Sequence, residues 1–130
     1  MRLLVFEYSN DVRKIIAKQI KLINSQADVI LTRNLYGTVK ELSKCSFDIV
    51  IIDGDSTEGE LKKVIELTKS KNKDAVIILL TSYDIPILRK RFFDLGVDYN
   101  FDKLTEFDSF LKILKTVISD VKEKEKNKAV

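Results

Sequence analysis

Short apolar runs alternate with helix-period segments along the chain. Leu3–Phe6, Val29–Leu31, Ile49–Ile52 and Val76–Leu80 are brief, rich in aliphatic side chains and bounded by polar or turn residues. Runs that are apolar on both faces suit a parallel sheet with helices covering each side. Val97–Phe101 reads as a fifth, weaker strand placed at a sheet edge, because Asp98 and Asn100 interrupt it. Between the runs, Val12, Ile15, Ile16, Ile20 and Ile23 recur at the spacing of one helical face. Ser9 and Asn10 are N-cap candidates there, and Asp11 stands near the positive helix end. Leu35–Lys44 forms a second helix with Leu35, Val39 and Leu42 inward, and Leu61, Val64, Ile65 and Leu67 mark a third. A fourth begins near Pro86, suited to a first turn, and stops at Gly96, suited to the position just past a helix end. The fifth carries Phe107, Phe110, Leu111, Leu114, Val117, Ile118 and Val121.

Five βα units in succession predict an α/β, doubly wound three-layer sandwich with right-handed crossovers. Five parallel strands favour the flavodoxin-like order 2-1-3-4-5, with the polar fifth strand at one edge. One domain is expected over residues 1–121, followed by a charged C-terminal tail over 122–130 that frays or extends the last helix.

Composition then removes whole classes of chemistry. The chain has 130 residues, one cysteine and no histidine. One cysteine cannot close an internal disulfide, and without histidine there is no His-based dyad or His-ligated zinc. Cys45 is expected as a small buried filler. No apolar run approaches the length of a membrane span, and the N-terminus enters the first strand without a signal-peptide layout. A cytoplasmic protein with no membrane partner is the expectation. The net charge of +3 resides at one end: residues 1–110 hold 17 basic and 17 acidic side chains, whereas residues 111–130 hold six lysines against three acids. No basic stripe is therefore expected on the folded body, and no nucleic-acid partner.

In open α/β sheets the functional groups gather beyond the carboxyl ends of the strands. Glu7 follows the first run, Asp53 the third and Thr81 the fourth, while Lys103 lies just past the fifth. Two carboxylates, a hydroxyl and an ammonium thus converge on one rim. Neighbouring carboxylates repel, which favours a bound cation or the lysine between them.

The segments RLLVFEYSNDVR, FDIVIID, VIILLTS and GVDYNFDK, in this order and spacing, resemble a receiver domain of two-component response regulators. The similarity covers about residues 2–121. It implies a phosphoacceptor at Asp53, a phosphoryl-sensing hydroxyl at Thr81 and a lysine at Lys103 that pairs first with the aspartate and then with the phosphoryl group. It also implies a Mg²⁺ site drawn from Glu7, Asp53 and the backbone carbonyl of Asp55. The implied partners are a histidine kinase or phosphotransfer protein, together with an output protein or a second copy docking on the face from helix four to helix five. With no output module in the remaining residues, the expected form is a stand-alone, non-enzymatic signalling domain acting through protein–protein contacts. The reading requires Asp53 to be reachable by an incoming donor.

Several positions depart from the family pattern. The acidic pair after the first strand is Glu7-Tyr8, and a protonated phenol is a poor ligand for a hard cation, so a weak or absent Mg²⁺ site follows. Prolines common in the family are replaced by Thr57 and Leu104, and the aromatic switch position is Asn100, flanked by Tyr99 and Phe101 on the opposite strand face. These departures motivate an alternative, a phosphorylation-independent pseudo-receiver used as an interaction module. A flavodoxin-like ligand-binding enzyme is disfavoured, because four glycines form no phosphate loop. Of the adjacent Phe92 and Phe93 only one can face the core; the other, with Ile85 and Leu88, would leave an apolar strip on helix four.

Overall fold

The computed structural model describes residues 1–83 and 85–128. Ten elements alternate strictly: β1 (Arg2–Phe6), α1 (Asn10–Ile23), β2 (Asp28–Thr32), α2 (Leu35–Lys44), β3 (Ile49–Asp53), α3 (Glu58–Lys71), β4 (Val76–Thr81), α4 (Pro86–Leu95), β5 (Tyr99–Asp102) and α5 (Phe107–Lys128). All strand pairs are parallel, and the sheet order is β2-β1-β3-β4-β5.

Strand alternation divides the core into two layers. Leu3, Val5, Ile49, Ile51, Ile78 and Leu80 point to one face and pack with Ile16, Ile20, Phe110 and Leu114 of α1 and α5. Leu4, Phe6, Val50, Ile52, Ile77 and Leu79 point to the other and meet Leu42, Leu61, Val64 and Phe92 of α2, α3 and α4. The central strands are buried along their length, so their apolar runs carry no alternation, as two-sided coverage demands.

The helix ends follow local chemistry. Ser9, Asn34 and Thr57 accept backbone N–H groups at the starts of α1, α2 and α3. Pro86 opens α4, and Gly96 closes it with a left-handed φ of 116° that a side chain would strain. α5 continues without a break to Lys128, where Glu125 stands 3.1 Å from the Met1 amino group. The last two residues of the expected tail, 129–130, lie outside the described residues.

Some packing expectations need correction. Ile15 is half exposed at 49%, because it lies on the flank of the α1 stripe centred on Ile16 and Ile20. Leu31 is 43% exposed, since β2 is an edge strand and lacks full cover. Cys45 is only partly buried and caps the end of α2. The fifth strand starts at Tyr99 rather than Val97, because Gly96 must first turn the chain and Val97 and Asp98 complete the turn.

Candidate functional site

The β1 and β3 registers place Phe6 level with Ile52, so the next residues, Glu7 and Asp53, emerge side by side. Each continues the row that packs on α1 and α5: Leu3, Val5, then Glu7; Ile49, Ile51, then Asp53. Lys103 extends the row of Tyr99 and Phe101, and its N–H bonds Thr81 O as a last rung of the β4–β5 ladder. Three charged side chains therefore share one sheet face because they share strand parity.

Their geometry is tight. Lys103 Nζ donates to Asp53 Oδ1 at 2.8 Å and to Asp55 Oδ2 at 3.2 Å, and stands 2.9 Å from Glu7 Oε1. That last oxygen is buried and has no aligned donor, so the Glu7 contact is an ion contact and not a directed hydrogen bond. The other Glu7 oxygen accepts the Ser9 N–H at 2.8 Å. Asp53 is fully engaged: Oδ1 also accepts the Asp55 N–H at 2.9 Å, and Oδ2 accepts the Tyr8 N–H at 3.1 Å. Lys103 is 12% exposed, Asp53 3% and Glu7 1%.

Burial and the Asp53 carboxylate hold the Glu7 pKa above its ordinary value, outweighing Lys103 and the Ser9 amide. For Asp53 burial acts upward, yet the adjoining Glu7 carboxyl, Lys103 and two backbone amides bring the pKa below its ordinary value. Burial pushes Lys103 down, but Asp53 and Glu7 overcome it and drive its pKa up. The site thus sets Asp53, its pKa lowered, and Lys103, its pKa raised, beside a Glu7 carboxyl whose own pKa is raised.

Thr81 joins the rim from the opposite strand parity, following Ile77 and Leu79. Its hydroxyl donates to Asn100 Oδ1 at 3.4 Å, across the same sheet face. Asn100 thus occupies the hydroxyl from the position where the family pattern carries an aromatic, while Tyr99 and Phe101 stack on the other face at 6.3 Å. Gly54 lets β3 pass close to Thr81: a Cβ there would clash with Thr81 Cγ2.

Tyr8 turns its side chain away from the carboxylates. Its hydroxyl donates to Glu60 Oε2 at 2.9 Å and its ring meets Phe6 edge-on at 5.3 Å. Burial and Glu60 raise the phenol pKa, so it stays protonated and offers no anionic ligand. The Asp55 carboxylate caps the β4–α4 turn, accepting Ser82 N at 2.8 Å and Ser82 Oγ at 2.7 Å. The residues do not fit Mg²⁺: the point between the carboxylates is taken by Lys103 Nζ, and Tyr8 supplies no replacement oxygen. Among the described residues, no group of three or more His, Cys, Asp or Glu side chains is arranged to hold a metal ion.

Glu60, Ser82 and Arg13 were not legible as site residues. Arg13 donates to the Glu7 carbonyl at 2.6 Å and to Asn10 Oδ1 at 2.7 Å, fixing the loop after β1. The Asn10–Arg13 spacing, one helical turn, was the available signal for that clamp.

No family model matches the chain, and no curated protein sequence does. Solved structures do. The non-phosphorylated HemR receiver domain of Leptospira biflexa superposes with a TM-score of 0.77 at 23% identity, over 91% of this chain and 94% of that one. The signal receiver domain of a DNA-binding response regulator from Colwellia psychrerythraea gives 0.79 at 16% identity, over 92% and 98%. A Vibrio cholerae chemotaxis protein gives 0.72 at 19%, over 89% and 97%. The chain has the receiver fold. In that fold Glu7, Asp53, Thr81 and Lys103 occupy one rim at the carboxyl ends of β1, β3, β4 and β5, and the expected strand order holds. Among the described residues, no helix is long and apolar enough to cross a membrane.

Proposed function

We propose that this receiver-fold chain is a two-component or phosphorelay signalling domain whose phosphoacceptor is Asp53. The observation that carries the reading is the 2.8 Å bond from Lys103 Nζ to Asp53 Oδ1. It supplies an ionised nucleophile and a resident cation in one low-solvent site. In the step, an Asp53 oxygen attacks the donor phosphorus as the bond to the leaving group breaks. From a phosphohistidine the imidazole leaves with the electron pair; from acetyl phosphate, acetate leaves. Phosphoryl transfer depends on charge neutralisation more than on proton removal. Here Lys103 offsets the charge of the incoming oxygens, and no step runs through a metal ion.

Asp53 is 3% exposed, so a donor reaches it only when the Tyr8 and Asp55 amides release its oxygens. The added charge would then compete for Lys103 and for the Thr81 hydroxyl, at the expense of Glu7, Asp55 and Asn100. Output would pass by protein contact, to a partner or a second copy, across the face from α4 to α5. Ile85, Ile87 and Phe93 support this, being 48%, 65% and 41% exposed. Residues 1–121 would form the working domain in a cytoplasmic setting. The test is incubation with acetyl phosphate followed by intact-mass measurement and peptide mapping. A one-phosphoryl adduct on Asp53, absent in Asp53→Asn, is expected. No adduct, with a conventional receiver modified alongside, would refute it.

A second reading is a phosphorylation-independent interaction module, favoured by the full engagement of both Asp53 oxygens. It predicts that Asp53→Asn leaves partner binding intact.

A further inference from the structure

A second cleft of about 440 Å³ lies apart from the acidic rim, between the start of α1, the end of β2 and the first two turns of α2. Its walls include Arg13, Arg33 and Lys40. These cations come from two stretches of chain, Arg13 from one and Arg33 with Lys40 from the other, so the zero net charge of residues 1–110 conceals a local cluster that the fold assembles.

What sets the cluster apart is the absence of counter-ions. Among the described residues, Arg33 and Lys40 have no ion pair or hydrogen bond. Arg13 spends its guanidinium on two neutral acceptors, a carbonyl and an amide oxygen. The one acid in the wall, Glu41, faces Lys44 at 3.8 Å, and the first turn of α2 contains no acidic residue. Three cations gathered in one cleft whose single acid faces Lys44 repel one another, and a polyanionic ligand relieves that cost.

The rest of the lining adds a second character. Tyr36, 79% exposed, and Leu31, 43% exposed, belong to the same cleft. Tyr36 and Lys40 are one helical turn apart on α2 and present neighbouring side chains. An exposed aromatic ring beside unpaired guanidinium and ammonium groups matches a ligand with a planar apolar ring at one end and phosphates at the other. The volume is within the range of small-molecule sites.

We propose that this cleft binds a nucleoside polyphosphate, with the phosphates on Arg33 and Lys40 and the base against Tyr36 and Leu31. Arg13 joins the cleft to the backbone of Glu7, but the binding claim does not depend on phosphorylation of Asp53.

The test is an amide NMR titration of the full chain with ADP, inorganic tripolyphosphate and adenosine, at physiological salt. ADP should shift residues 31–41 saturably. The double variant Arg33→Gln/Lys40→Gln should weaken ADP by about tenfold or more, the scale of losing a charge-assisted hydrogen bond. Tyr36→Ala should weaken ADP while leaving tripolyphosphate unchanged. All three side chains are exposed, so an unaltered melting curve verifies the fold, and Asp53→Asn should bind ADP normally. Shifts confined to the lysine-rich end of α5, no saturation, or equal binding of ADP to wild type and the double variant would overturn the proposal. Tripolyphosphate binding as tightly as ADP would overturn the assignment of the base to Tyr36.

Discussion

Replacing Lys103 with methionine keeps the stem of the side chain and removes the cation from three carboxylates. Each oxygen lies 2.8–3.2 Å from Nζ. At an effective dielectric of about 20, each such contact amounts to ~5–6 kcal/mol before desolvation is charged against it. Removing one partner of a buried pair costs ~3–5 kcal/mol, because the remaining charge stays buried. The lower end applies here, since Asp55 is 31% exposed and the Glu7 pKa is raised, which weakens its hold on the cation. Lys103→Met should therefore lose about 3 kcal/mol at pH 7, a sizeable share of the ~5–15 kcal/mol available to a domain. In the native protein the folded-state pKa of Asp53 is depressed, so its stabilising contribution is present above the unfolded value of about 3.9 and is lost as pH falls through the folded value. Without Lys103 a main lowering influence is gone while burial remains, so the folded pKa of Asp53 rises and the penalty grows as pH rises. The gap between the two proteins should thus be wide at pH 7 and narrow on acidification. Urea unfolding at a series of pH values measures it. A gap under ~1 kcal/mol at pH 7, or one that does not change with pH, would refute the reasoning, given the buried-pair cost above.

Glu7→Gln should be as stable as the native protein at pH 7 or more stable by up to about 1 kcal/mol. The raised folded pKa of Glu7 means that its contribution is present below the unfolded value of about 4.3 and lost as pH rises through the folded one; thermal melts at pH 4 and pH 7 check this. Gly54→Ala should cost ~1–3 kcal/mol by overpacking against Thr81 and the Leu80 carbonyl. Gly59→Ala, with open space around its Cβ in helical backbone, should gain ~0.5–1 kcal/mol, and chemical unfolding of the pair tests both. Tyr8→Asp adds the missing hard oxygen beside Asp53; Mg²⁺-dependent amide shifts should appear at residues 7–8 and 53–55 in the variant and be absent from the native chain.

The apolar runs disclosed the fold because burial on both faces leaves short β-branched-rich runs, and their length and flanking turn residues separate them from buried helix segments. Leu3–Phe6 and Ile49–Ile52 needed extension by only one residue at an end. The convergence of Glu7, Asp53 and Lys103 was legible for the same reason: each follows a strand, and parallel register brings strand ends level. What the sequence could not convey was who holds whom. Glu7, read as either a loop-facing charge paired with Lys103 or a metal ligand, does stand against Lys103, but its burial beneath that side chain was not legible, because it depends on strand parity across β1, β3 and β5 together. Tyr8 finding Glu60 and Asp55 finding Ser82 span 52 and 27 positions, distances at which no local pattern operates. Arg13 joins Arg33 and Lys40 only in the fold, and a count of charges along the chain averages the three away.

The claim that Lys103 provides the cation over Asp53 is tested most directly by the rate at which acetyl phosphate modifies Asp53, followed by intact mass, with chelator present and with Mg²⁺ present. The account predicts an Asp53 adduct forming at the same rate in both and lost in Lys103→Met. An adduct that forms only with Mg²⁺, or one that forms equally well without Lys103, would contradict it.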